Sequence, residues 1–231
     1  MATSYKTPGV YLVEKDAFPG SVVEVATAIP AFIGYTEKAE YNGKDLTNKP
    51  FRITSFAEYL NIFGGAPSIR FTYGAVANAA PASENTDEES EGSSEAKSEG
   101  GKAGLTAKTM YRLYDSMRIF FQNGGAACYI CSVGGYDKEI DKGQLVNGIA
   151  PFVKEQEPTI MLVPDAVSLA NVDDCASVHN ALLAHCNKMQ NRFAILDVFE
   201  GYKEPLECIG AFREKVTSFL KYGAAYYPWE S

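Results

Sequence analysis

The chain has 231 residues, 46% of them hydrophobic, with 14 Tyr and 13 Phe, enough apolar material for one large domain or two small ones. Its net charge of −8 is uneven, since residues 84–102 alone carry −5, and neither that stretch nor the rest offers the basic patch that nucleic-acid binding requires. No apolar run approaches the roughly 18 residues of a membrane span, and Met1–Pro8 lacks the basic-then-apolar order of a secretory leader.

Residues 1–30 read as an extended, β-rich N-terminal arm. Thr7-Pro8-Gly9 and Pro19-Gly20 are turn chemistry; Val10-Tyr11-Leu12-Val13 and the run Val22–Thr27, with Val22, Val23 and Val25, are strand-like. Two such strands are marginal in water alone, so they need a sheet edge to join, in this protein or in a neighbour. Residues 31–80 then open an α/β domain. Ala31–Tyr35 reads as a short buried strand and Phe51–Ile53 as another. Ser55 and Glu58 have the spacing of a capping box, and Phe56, Tyr59, Leu60 and Phe63 recur on one helical face before Gly64-Gly65 stops the helix.

Residues 81–104 contain almost no large apolar side chain and read as an acidic, disordered surface insert. The main part of the domain, 105–231, resumes with an amphipathic helix whose stripe is Met110, Leu113, Tyr114, Met117, Phe120 and Phe121. From there strands and helices alternate. Strands are expected at Ala127–Val133, Thr159–Val163, Arg192–Val198 and Gly223–Tyr227. Helices are expected at Asp141–Phe152, Asp173–Asn191 and Pro205–Leu220. Apolar strands separated by helices predict an α/β fold with a mostly parallel, doubly wound sheet.

Candidate chemistry is sparse. Asn123-Gly124-Gly125 follows a helix and precedes a strand, the reverse of a phosphate-binding turn. Cys128 and Cys131 have C-x-x-C spacing, but in mid-strand two residues three apart point to opposite faces, so buried structural thiols are expected. Cys175 and His179 lie at i, i+4 on one predicted helix with His185 and Cys186 nearby, but no second cluster completes a zinc site. Five cysteines in apolar contexts suit free thiols in a reducing cytoplasm. Asp165 and Asp197 fall at strand exits, where an open α/β sheet binds ligands; they would hold Mg²⁺, or else simply cap the next helix or turn. Neither histidine is placed as a general base, and no serine sits in a G-x-S-x-G turn.

Six strings in order, "TPGVYLVEKD" near the N-terminus, "IPAFIGYT" at 29–36, "FFQNGGAACYICSVG" at 120–134, "LVPDA" at 162–166, "RFAILDV" at 192–198 and "YGAAYYPW" at 222–229, resemble the sheath proteins of contractile tails, those of bacteriophages and of phage-tail-like injection systems. The resemblance implies a structural subunit that stacks in rings around an inner tube and contracts to drive that tube through a target membrane. It implies other sheath subunits, an inner-tube protein, and baseplate and cap proteins as partners. It gives residues 1–30 the task of adding strands to a neighbour's sheet, through Val10, Tyr11, Leu12, Val13, Val22, Val23 and Val25. It places Tyr226-Tyr227-Pro228-Trp229 in the core of the fold. Family members usually continue into a region facing the inner tube, which is expected to be absent from a chain ending at Ser231.

No catalytic, cofactor-binding or metal-ligating residue is assigned, and neither a cofactor, a nucleic acid nor a stable membrane association is expected. Assembly is expected in the cytoplasm, followed by incorporation into a phage tail or phage-tail-like particle. Two other readings stand beside the sheath: a Mg²⁺-dependent hydrolase using Asp165 and Asp197, and a cap or adaptor paralogue that terminates a sheath.

Overall fold

The computed structural model describes residues 28–68, 71–75, 103–107 and 111–228. The arm residues Val10, Tyr11, Leu12, Val13, Val22, Val23 and Val25 lie outside the described residues, as does most of the acidic insert.

The chain is mixed α/β. In order it forms β1 (Pro30–Gly34), β2 (Glu40–Tyr41), β3 (Lys44–Asp45), β4 (Phe51–Ile53), α1 (Phe56–Phe63), β5 (Phe71–Ala75), β6 (Ala103–Ala107), α2 (Leu113–Gln122), β7 (Cys128–Ser132), α3 (Lys142–Ile149), β8 (Ile160–Leu162), α4 (Val172–Met189), β9 (Phe193–Asp197), α5 (Pro205–Lys215) and β10 (Gly223–Tyr226). Six strands make one sheet in the order β10-β9-β8-β1-β7-β4, and only β4 runs antiparallel to its neighbour. The register pairs Ala31 with Tyr129, Ala31 with Met161, Met161 with Ala194, and Ile195 with Ala224.

Strand alternation divides the core in two. Ala31 and Ile33 of β1, with Tyr129 and Cys131 of β7, face α3 and α4, where Leu145, Ile149, Val178 and Leu182 cover them. Phe32, Cys128 and Ile130 face the other way, onto Tyr59 and Phe63 of α1 and Leu113 and Met117 of α2. Every residue of β1 and β7 is therefore buried. The second face thins out across the sheet: β9 alternates, with Ala194 and Leu196 buried while Phe193 is 41% exposed.

Several local expectations are corrected. The buried face of α1 is Tyr59, Ile62 and Phe63; Leu60 points to solvent. Its cap is built as foreseen at Ser55, whose hydroxyl accepts from the Glu58 N–H at 3.2 Å, but the Glu58 carboxylate reaches one residue further back, accepting from the Thr54 N–H at 2.8 Å. Helix α5 stops at Lys215 rather than Leu220, because the Val216 side chain turns into the core. The 81–104 boundary also shifts: Ala103 and Gly104 belong to β6, which pairs antiparallel with β5 across the insert. Tyr226 and Tyr227 do not sit in the core. Tyr226 ends the edge strand, 57% exposed, and Tyr227 follows it.

Close approach of α3 to the sheet depends on Gly148, where a Cβ would come within 2.5 Å of Val133 Cγ1 and 2.7 Å of Ile33 Cγ2. Both neighbours are β-branched and stiff. Gly210 on α5 has nothing within 4 Å of the same position. Gly210→Ala is thus expected to gain up to about 1 kcal/mol from helix propensity. Gly148→Ala is expected to lose about 1–2 kcal/mol, overpacking outweighing the same propensity gain. Urea midpoints of the two variants check this, and equal shifts in both would count against the packing argument.

Candidate functional site

In an open parallel sheet, ligands bind beyond the carboxyl ends of the strands, where the strand order reverses. Here the connection from β7 to β8 crosses from one side of β1 to the other, so the crevice lies above β1. Asp165 stands at that point, in a short 3₁₀ turn, Pro164–Ser168, that follows β8. Its carboxylate is completely buried. Oδ2 accepts from the Tyr35 N–H at 2.7 Å, and Oδ1 accepts from the N–H groups of Arg112 at 2.6 Å and Leu113 at 3.2 Å. One side chain thus satisfies the exit of β1 and the first orphan donors of α2. Gly34 leaves the room: a Cβ there would lie 2.5 Å from Asp165 Oδ2. Burial pushes the Asp165 carboxyl up to about 6, while the three N–H bonds and the Arg112 charge pull it down.

The crevice above β1 is filled by the chain itself. The Tyr35 and Tyr111 rings lie 5.6 Å apart, and Tyr111 packs on Tyr136 at 4.7 Å. The Tyr111 hydroxyl donates to the carbonyls of Tyr136 and Lys138, and Tyr35 Oη accepts from the Asp141 N–H at 2.9 Å. Thr36 and Ser132 hydroxyls share a 2.6 Å hydrogen bond between the ends of β1 and β7. Among the described residues, the α-helix N-termini, the usual anion seats, carry the chain's own acids or polar caps. Asp165 serves α2, Asp141 caps α3 through the Gln144 N–H, and Asn171 caps α4 through the Asp174 N–H. Glu58 and Glu207 lie in the first turns of α1 and α5.

The cysteine and histidine motifs are core. Cys128 faces α1 and α2 while Cys131 faces α3 and α4, and burial pushes both thiols up to about 12, far from a reactive thiolate. Cys175 Sγ lies 3.8 Å from His179 Nε2, with the His179 ring against Phe212. Arg192 Nη1 donates to His185 Nε2 at 2.8 Å and to the Phe152 carbonyl at 2.7 Å, and Nη2 donates to the Glu155 carbonyl. Since a guanidinium only donates, the His185 ring accepts and is neutral there. Burial holds both imidazoles down at about 4. Among the described residues, no three or more His, Cys, Asp and Glu side chains gather as a metal-binding group, and no helix is long and apolar enough to cross a membrane.

Asp197 has different surroundings. It lines a groove of about 620 Å³ at the end of β9, together with Arg112, Asp115, Ile119, Val167 and Tyr226. Burial raises its carboxyl and the Arg112 charge opposes the rise. The two aspartates picked out by their strand exits are therefore not one site: Asp165 is sealed beneath the turn with both oxygens engaged, and Asp197 opens on the groove. Sequence reasoning missed two organising residues, Gly34 at the exit of β1 and Arg192 at the entrance of β9, on the opposite edge of the sheet. Gly34 carries no local signal, and a buried Arg at a strand entrance resembles an ordinary flanking charge. No family model matches the chain, and no curated protein matches it either.

Asp165→Ala is expected to cost roughly 3 kcal/mol or more, because two buried N–H groups and one part-buried one lose their acceptor together; Asp165→Asn recovers only part, since its amide also presents donors. Unchanged urea midpoints in both would refute the capping role. For pH, the folded state holds His179 and His185 near 4 against 6.5 unfolded, so the stability they contribute is present above pH 6.5 and lost as pH falls towards 4. Asp165, raised to about 6 from 3.8, runs the opposite way over pH 6 to 4 and offsets part of it. Each histidine is worth up to roughly 3 kcal/mol. His179→Leu is expected to flatten the fall in urea midpoint between pH 7 and pH 4.5; an unaltered slope would mean His179 does not carry it.

Proposed function

We propose that this chain is a structural subunit of a contractile sheath, one that polymerises with copies of itself in stacked rings around an inner tube and contracts to drive the tube through a target membrane. The observation that carries the reading is the ordered run of six strings that resembles contractile-tail sheath proteins. Five of those strings fall on described residues, save Trp229 at the end of the last, and they coincide with the parallel strands: "IPAFIGYT" with β1, "FFQNGGAACYICSVG" with the end of α2 and β7, "LVPDA" with the exit of β8, "RFAILDV" with β9 and "YGAAYYPW" with β10. The likeness thus follows the sheet and not one local motif.

The chemistry of the strand ends favours structural work over turnover. A ligand-binding crevice plugged by three tyrosines, and a strand-exit carboxylate committed to backbone donors, suit a body that transmits force. The hydrolase reading needs Asp165 and Asp197 on a common ion, and Asp165 has both oxygens engaged. In the sheath reading, the arm runs Val10–Val13 and Val22–Thr27 join a neighbour's sheet edge, where main-chain hydrogen bonds give the affinity. Inner-tube, baseplate and cap proteins are the other partners. Assembly takes place in the cytoplasm, before the particle acts.

Negative-stain electron microscopy of the concentrated chain tests this. Hollow tubes or stacked rings are expected, and removal of residues 1–27 is expected to leave dispersed particles. Dispersed particles from the intact chain, or tubes that persist without the arm, would count against the sheath reading or against the arm as its linker.

A further inference from the structure

The end of the sheet opposite Asp165 is held by one guanidinium. Arg192 stands at the entrance of β9 and is 3% exposed. Its Nη1 donates to the Phe152 carbonyl at 2.7 Å and to His185 Nε2 at 2.8 Å, and its Nη2 donates to the Glu155 carbonyl. Phe152 lies in the 3₁₀ turn Ala150–Lys154, Glu155 follows that turn, and His185 belongs to α4. Three segments therefore meet on a single side chain. We propose that the Arg192–His185 pair is an acid-sensitive latch, which secures residues 153–157 to α4 and β9 while the imidazole is neutral and loosens them once it is protonated.

The geometry makes the bond conditional. A guanidinium offers only donors, so the 2.8 Å contact exists only while Nε2 keeps its lone pair. Protonation turns that nitrogen into a second donor and sets two cations together in a buried site, where screening is weak. Among the described residues, no carboxylate lies within ion-pair distance of Arg192 to offset the added charge. The other charges around the pair are Lys188 on α4, which opposes protonation of the ring, and Glu155 on the turn, which favours the charged guanidinium. The adjacent Cys186 thiol is pushed up to about 11 by burial and is neutral. Burial first, then Arg192 and Lys188, hold the His185 ring down at about 4. The other buried histidine of α4, His179, has Cys175 and Phe212 for neighbours instead. The restrained segment has room to move, since Val153, Lys154, Gln156 and Glu157 are exposed while Phe152 is anchored in the core. The latch lies within one chain, so it stands or falls separately from polymerisation.

The Glu155 N–H donates to the Phe152 carbonyl at 3.2 Å, so its hydrogen exchange, divided by the intrinsic rate at each pH, reports the state of the turn. A ring held at about 4 when engaged and at 6.5 when released makes opening roughly 20-fold more frequent at pH 5 than at pH 7. That rise is expected in the full chain by NMR-detected exchange. His185→Gln keeps an acceptor for Arg192 without a titrating ring and is expected to cut the rise below about 3-fold. His179→Leu is expected to leave it in place. Amides of β7, at the centre of the sheet, serve as the reference for global unfolding and are expected to exchange far more slowly. Far-UV circular dichroism at both pH values accompanies each variant. No rise in the parent chain overturns the proposal, as does a full rise in His185→Gln or one abolished by His179→Leu. Exchange at Glu155 that matches β7 in rate also overturns it, because the whole domain would then be opening. One further check needs no variant: NMR titration of the His185 ring is expected to follow the exchange profile, and a ring titrating at its ordinary value overturns the latch.

Discussion

A single buried carboxylate ties together the parts of this molecule that sequence keeps farthest apart. Asp165 lies 130 residues from Tyr35 and more than 50 from Arg112, and it bonds the backbone of both. Three structural problems meet there. β1 must end, α2 must begin with unsatisfied N–H groups, and the chain leaving β8 must turn towards α4. A neutral acceptor would serve one of these; an aspartate serves all three because it has two oxygens and no donor when ionised. Burial disfavours its charge, the converging N–H groups favour it, and the balance leaves the carboxyl raised and still hydrogen-bonded. Gly34 belongs to the same constraint, since any side chain at that position would occupy the space of the carboxylate.

That arrangement also decides what the strand ends can do. In a doubly wound sheet the crevice at the reversal of strand order is empty by default, and ligand-binding proteins keep it so. Here Tyr35, Tyr111 and Tyr136 occupy it, and their hydroxyls or main-chain neighbours hold the loops after β1 and β7 together. The carboxylates Asp165 and Asp141 add to the effect, since they accept from the first N–H groups of α2 and α3. The crevice above β1 is thus closed, while the groove at the end of β9 stays open beside Asp197.

Much of this fold was legible because its signals are local and periodic. Alternation alone assigned Cys128 and Cys131 to opposite faces, and the two core clusters separate them in that way. The order of strands and helices was equally plain. What failed was contextual. Leu60 fits the helical stripe of α1 as well as Ile62 does, but the sheet lies on the side of Ile62. The end of α5 was overshot because nothing before Val216 forbids another turn; its burial is a tertiary contact. The β5–β6 pairing was hidden by the polar stretch between its strands, since Ala103 and Gly104 carry no strand pattern of their own. Asp165 was correctly marked as a strand-exit acid, but whether it met a ligand or a backbone depended on partners that sequence does not place near it.

The two faces of the sheet are unequally covered, and that inequality bears on mechanics. From β4 to β1 both sides carry helices, so those strands move only with α1, α2, α3 and α4. Towards β9 and β10 the α2 side opens, and Phe193 and Tyr226 are left half exposed. A subunit that works by shifting between two packings needs a stiff centre, because strain spread through a soft core would be lost before it reached a neighbour. It also needs a margin where contacts can be exchanged at small cost. The hydrogen-bonded acid and the tyrosine plug tie together the centre of this sheet, while the edge strand β10 keeps Tyr226 exposed. Under the sheath reading, the deeply buried polar bonds would keep the subunit rigid, and the exchange of contacts would fall to the edge strand.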